Sequence, residues 1–174
     1  MTQPAAASAP SKLREQAEWM ELLSAVAVGV LALNLVVHAF PPIATVVSVR
    51  DPAALWALVQ VLGVRAIQAT PAILYLCGLW AAQRMFARMG RGEVFTAANA
   101  AGLSSIGASL LWGGAWALAL APTLLRWTEG GFNGLDLRLE GPELVILVLG
   151  GALMMLGKVM AQAVVLQAEV DAFV

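Results

Sequence analysis

The chain of 174 residues predicts an all-α fold, a polytopic membrane bundle of four spans. Three observations carry this reading. Hydrophobic residues make up 60% of the chain and charged residues only 12%, about half the charged share of an average soluble domain. So little charge cannot cover a soluble surface of this size. Four long stretches are almost free of charge, and nearly all of the ten basic and eleven acidic residues gather at the ends and between those stretches. The near-cancelling charges leave no basic field for direct contact with nucleic acid. One cysteine forbids an intramolecular disulfide or an all-cysteine metal cluster, and one histidine excludes a bis-histidine haem or a multi-histidine metal site.

Residues 1–10 (MTQPAAASAP) are small and prolyl and predict a disordered start. SKLREQAEWMELL follows as a short juxtamembrane helix, with Ser11 as cap and Glu15 and Glu18 near its start; residues 1–21 thus precede the bundle. Leu22–Phe40 has no formal charge over 19 residues, enough to cross a hydrocarbon core of about 30 Å. It exceeds the apolar stretch of a signal peptide, about 7 to 15 residues, and Glu15, Glu18 and Glu21 precede it, so it is expected to be retained. Ala66–Ala82 is the heart of a second span at about 66–86, with Arg65, Gln68, Thr70 and Pro71 crowding its start. Upstream, DPAALWALVQVLGV opens on Asp51-Pro52 and reads either as an outer interfacial helix or as an extension of the span. Leu103–Leu125 is a third span without charge, and Leu144–Leu166 a fourth that contains Lys158 and Gln162. Residues 167–174 form a short tail.

Four spans put both termini on one side. Lys12, Arg14, Arg84, Arg88 and Arg91 lie on the terminal side, against Arg50, Arg65, Arg126 and Arg138 on the other. The margin is thin, but the density of arginine around Arg88 assigns both termini to the cytoplasm of a bacterial inner membrane.

Two connections stand out. In RWTEGGFNGLDLRLEGPE, Leu135, Leu137 and Leu139 alternate with Asp136, Arg138 and Glu140 behind an Asn133-Gly134 turn, which predicts a strand-like external hairpin. Its partner would be the Trp127–Phe132 arm, another loop or a second protomer, so a homodimer is one option. In QRMFARMGRGEVFTAANAAGL, Gly90 and Gly92 end a helix and Thr96 is placed to cap the next. The plain role of this basic loop is to anchor on anionic headgroups; the specific one is to dock a cytoplasmic partner.

Within the spans, Ser105, Ser109, Gly113, Ala117 and Ala121 form a row of small residues at intervals of four, and Gly150 and Gly157 offer a matching surface. Small residues let helices approach closely, so spans three and four are expected to pack there. Asn34 and His38 share a face of span one; with Arg65 and Gln68, and Gln60 nearby, they form a candidate polar pocket at the external mouth. Lys158 is placed to snorkel to the inner headgroups. No HExxH, GxSxG or P-loop lysine motif is present. His38 with Met154 or Met155 makes a poor haem site, since the histidine is expected near the outer face and the methionines near the midplane. Neither an enzyme nor a cofactor is therefore expected.

GRGEVFTAANAAGLSSIG, residues 90–107, resembles the G-x-x-F-T-x-x-N…L…I-G stretch of the DUF2975 family of bacterial membrane proteins. The terminal LQAEVDAFV is similar to that family's L-x-x-E-x-D-x-x-V ending, with Leu166, Glu169, Asp171 and Val174 in place and Phe173 where a threonine is expected. The resemblance implies a four-span protein of unknown function. Some members are encoded beside a small helix-turn-helix regulator, which implies a membrane partner that sequesters it or signals to it. Under that reading Arg88, Arg91, Gly92, Phe95, Thr96, Asn99, Glu169 and Asp171 form the cytoplasmic partner face. The alternative is a carrier or binding protein for a small apolar or lipid-like ligand, held near Arg65 and His38.

Overall fold

The computed structural model describes residues 11–39, 52–128, 130, 134–137 and 141–172. The residues expected to be a disordered start lie outside them, as does the side chain of Ser11. Four helices are long and apolar enough to cross a membrane. Helix α1 spans Ser11–Ala39, so the juxtamembrane prelude and span one are a single rod. Helix α2 spans Pro52–Gly90; the apolar segment before Arg65 is a continuous extension of the span. Arg65 and Arg84 stand about 28 Å apart along it at 1.5 Å per residue, which matches a hydrocarbon core of about 30 Å.

The third span is α3 (Ala97–Ala115), a π-helical turn over Trp116–Leu120, and α4 (Ala121–Thr128). In the wide turn the Ala121 N–H reaches back to the Trp116 carbonyl. Pro122 follows it directly and has no N–H to offer the Leu118 carbonyl, so this is where the backbone adjusts. The fourth span, α5, covers Gly141–Ala172.

Each span packs on its neighbour in the chain: α1 on α2, α2 on α3 and α3 on α5. Among the described residues the first and fourth spans do not meet, so the bundle is open. Large apolar side chains are exposed along all four, among them Val30, Trp56, Trp112 and Val148. Such a surface suits acyl chains as solvent rather than water.

Close packing is concentrated between α3 and α5. A β-carbon added at Gly107 would collide with the backbone of Met154, one at Gly150 would sit 2.5 Å from Leu111 N, and one at Gly157 would sit 2.6 Å from Ser104 N. Gly114 meets Leu147 and the Glu143 carbonyl. The seam therefore runs through Ala100, Ser104, Gly107, Leu111 and Gly114 on α3, and through Glu143, Leu147, Gly150, Met154 and Gly157 on α5. Both sets alternate steps of four and three, the heptad spacing that keeps two helices in register along their length.

The small-residue row expected to carry this contact faces elsewhere. Ser109 abuts Gly78, and Gly113 abuts the Tyr75 ring, both on α2; Ala117 and Ala121 are half-buried in and after the π turn. The reason is geometric. Steps of four advance about 40° around a helix of 3.6 residues per turn, so five members cannot share one face.

The strand-like hairpin is also corrected. Gly134–Leu137 contains no strand among the described residues, and Arg138 to Glu140 lie outside them. Instead of pairing with another strand, the segment is tied to the third span. The Asp136 N–H donates to Thr123 Oγ1 (3.1 Å), the Thr123 hydroxyl donates to the Asp136 carbonyl (3.3 Å), and Arg126 lies 3.7 Å from the Asp136 carboxylate. A side chain thus supplies the partners that a neighbouring strand would have supplied.

Candidate functional site

The end of the bundle where α1 begins and α5 ends holds an organised polar cluster. A β-carbon at Gly90, the last residue of α2, would approach Ala17 of α1 at 3.9 Å. Gly157 of α5 meets Ala100 and Ser104 at the start of α3. The α1 start, the α2–α3 loop and the final turns of α5 therefore lie at one end.

The loop is built by its own residues. The Arg91 and Gly92 N–H groups donate back to Arg88 and Met89 carbonyls as α2 ends. Gly92 then takes φ +88°, which a side-chain-bearing residue adopts only at a cost. Thr96 caps α3: its side chain accepts from the Asn99 N–H at 3.2 Å and spares an otherwise unpartnered donor. Asn99, in the first turn of α3, is completely buried. Its Nδ2 donates to the Glu93 carbonyl and to the Val94 carbonyl (3.1 Å), while its Oδ1 accepts from Arg88 Nε at 2.9 Å. Arg88 Nη2 adds a bond to the Ala98 carbonyl at 3.2 Å. One amide side chain therefore clamps the end of α2, the loop and the start of α3.

This alters the expected partner face. Asn99 offers no side chain to a partner, and Thr96 and Arg88 serve mainly to hold the loop. Phe95 is 74% exposed on that clamped backbone. Arg91 and Glu93 are exposed beside it, 4.0 Å apart. Glu169 is exposed near the end of α5, and the Asp171 side chain lies outside the described residues.

Nothing in the sequence pattern marked Asn99 as internal. A polar residue three positions after a helix cap ordinarily faces water. The structural cue is that Gly92 turns two carbonyls toward it.

At the opposite end, Arg65 and Gln68 line a cavity of about 430 Å³ with Gln60, Val61, Val64 and Thr128. Asn34 is exposed on α1 and is not among the described lining residues, and the His38 side chain lies outside the description. The expected four-residue pocket is thus represented by its α2 half. Lys158 is exposed and follows Gly157, level with the first turns of α3 and about 12 Å along the helix axis from the level of the Thr96 cap at 1.5 Å per residue. Among the described residues no group of three histidine, cysteine, aspartate or glutamate side chains is placed to hold a metal.

Residues 38–174 match the family described as protein of unknown function (DUF2975). The chain belongs to the DUF2975 family. The matched range takes in α2 to α5 and leaves almost all of α1 outside it. No curated protein and no solved structure matches the chain. In this DUF2975 protein the motif G-x-x-F-T-x-x-N has a structural meaning residue by residue: Gly92 makes the turn, Phe95 is displayed, Thr96 caps, and Asn99 clamps.

Proposed function

We propose that this DUF2975 protein is a non-enzymatic protein of the bacterial inner membrane, with both termini cytoplasmic. In this reading it sequesters or signals to a small helix-turn-helix transcription regulator, which docks on the Arg91–Thr96 loop. The observation that carries the reading is Phe95: a large aromatic side chain held out on a backbone that Asn99 has already ordered. Aromatic and arginine side chains dominate binding energies at protein interfaces, and an ordered loop loses little entropy on docking. Arg91 and Glu93 supply exposed charges beside it, and Glu169 is exposed near the end of α5.

The test is co-purification from membranes with a small helix-turn-helix protein encoded in a neighbouring reading frame. Phe95→Ala should cut recovery of the regulator at least tenfold while leaving the thermal transition of the membrane protein unchanged. Equal recovery with Phe95→Ala and wild type would remove the loop from the interface.

A second reading, a carrier or binding protein for a small lipid-like ligand, is favoured by the cavity at Arg65. Its wall combines Val61 and Val64 with the polar Gln60, Gln68 and Thr128. A lipid-like molecule that co-purifies with wild type and is lost in Arg65→Leu supports it. The same molecule retained in both would set it aside.

A further inference from the structure

A second basic feature lies beside the clamped loop, on the flank of the bundle between α2 and α3. Between α2 and α3, a groove of about 240 Å³ is lined by Arg84, Arg88, Ala98, Ala101, Gly102 and Ser105. Both arginines are held in place. The Arg84 guanidinium lies 4.7 Å from the centre of the Trp80 ring one turn earlier, a cation–π distance. Arg88 spends Nε on Asn99 and Nη2 on the Ala98 carbonyl, and Nη1 has no partner among the described residues. Gly102 makes room for it: a β-carbon there would lie 3.4 Å from Arg88 Nη2. The opposite wall is small, with Ala101 and Ser105 exposed to the surroundings of the bundle.

We infer that this groove binds the phosphate headgroup of an anionic phospholipid of the leaflet on the terminal side. Charge complementarity selects the ligand: two preorganised guanidinium groups make charge-assisted bonds to one phosphate. Position selects a lipid over a soluble phosphate ester. Trp80 is 58% exposed one turn toward the span, as indoles are at the headgroup level of a membrane. Ala101 and Ser105 continue from the groove toward the span centre, where the glycerol backbone and an acyl chain can lie against them. Unlike general attraction of basic loops to anionic membranes, this site depends on where the charge stands.

The experiment is native mass spectrometry of the full-length protein in detergent with equimolar phosphatidylglycerol and phosphatidylcholine. Wild type should retain phosphatidylglycerol preferentially. Arg84→Gln should lower that preference about fivefold, the equivalent of ~1 kcal/mol for one basic residue at a charged surface. Ser105→Leu, which fills the groove while keeping both arginine charges, should lower it as well. Arg91→Gln removes an equal charge from the loop outside the groove and should leave the preference intact. A loss with Arg91→Gln as large as with Arg84→Gln would overturn the site in favour of diffuse attraction. Displacement of the lipid by millimolar glycerol phosphate would overturn the lipid as ligand. Arg84 makes no hydrogen bond within the loop clamp, so the Arg84→Gln result does not depend on that clamp remaining folded.

Discussion

Asn99 is where single atoms decide the most. Its amide donates to two carbonyls and accepts from one guanidinium, all inside the protein. Asn99→Ala should cost about 1–3 kcal/mol, because the part-buried carbonyl contacts to Glu93 and Val94 lose their donor. Asn99→Asp should be at least as damaging, since an acceptor then faces those same carbonyls although the arginine contact is kept. Thermal melting in detergent measures both, and an Asn99→Asp protein as stable as wild type would show that the two carbonyl contacts are not needed. The motif was legible in the sequence as a string, and Thr96 as a cap was legible from its place before an apolar run. The burial of Asn99 was not legible, because it depends on a turn at Gly92 that brings residues on both sides of the loop together.

At the scale of elements, two devices hold the spans together. Pro71 lies inside α2 and has no N–H for the Ile67 carbonyl four residues earlier. The Trp116 indole, from the π turn of the third span, donates to that same carbonyl at 3.0 Å. In a membrane core no water is present to do so. Trp116→Phe should therefore lower stability by about 1–3 kcal/mol. Pro71→Ala restores the missing N–H, so Trp116→Phe should cost measurably less on that background; a cycle with no coupling would refute the latch. The second device is the α3–α5 seam. Gly107→Ala, Gly150→Ala and Gly157→Ala each press a methyl group on backbone and should each cost about 1–3 kcal/mol. Gly151→Ala meets only the end of the Leu111 side chain at 3.7 Å and should be tolerated. The spans themselves were legible from charge-free length. The seam was not, because an unbroken row at intervals of four is easier to see than an alternation of four and three, although only the alternation stays on one face. The loop between the third and fourth spans misled for a different reason: its period of two is real, but a threonine hydroxyl on the neighbouring helix takes the place of a strand.

At the scale of the whole molecule, the open bundle puts the start of α1, the end of α5 and the clamped α2–α3 loop at one end and the Arg65 cavity at the other. The docking reading and the orientation of the lipid groove both need the first end to face the cytoplasm. Side-specific labelling tests this most directly. On a Cys77→Ser background, single cysteines at Glu93, Glu169 and Gln60 are exposed to a membrane-impermeant maleimide in right-side-out vesicles and again after permeabilisation. The account predicts labelling at position 60 before permeabilisation, and at positions 93 and 169 only afterwards. Labelling at 93 and 169 in sealed vesicles would invert the protein and contradict the account.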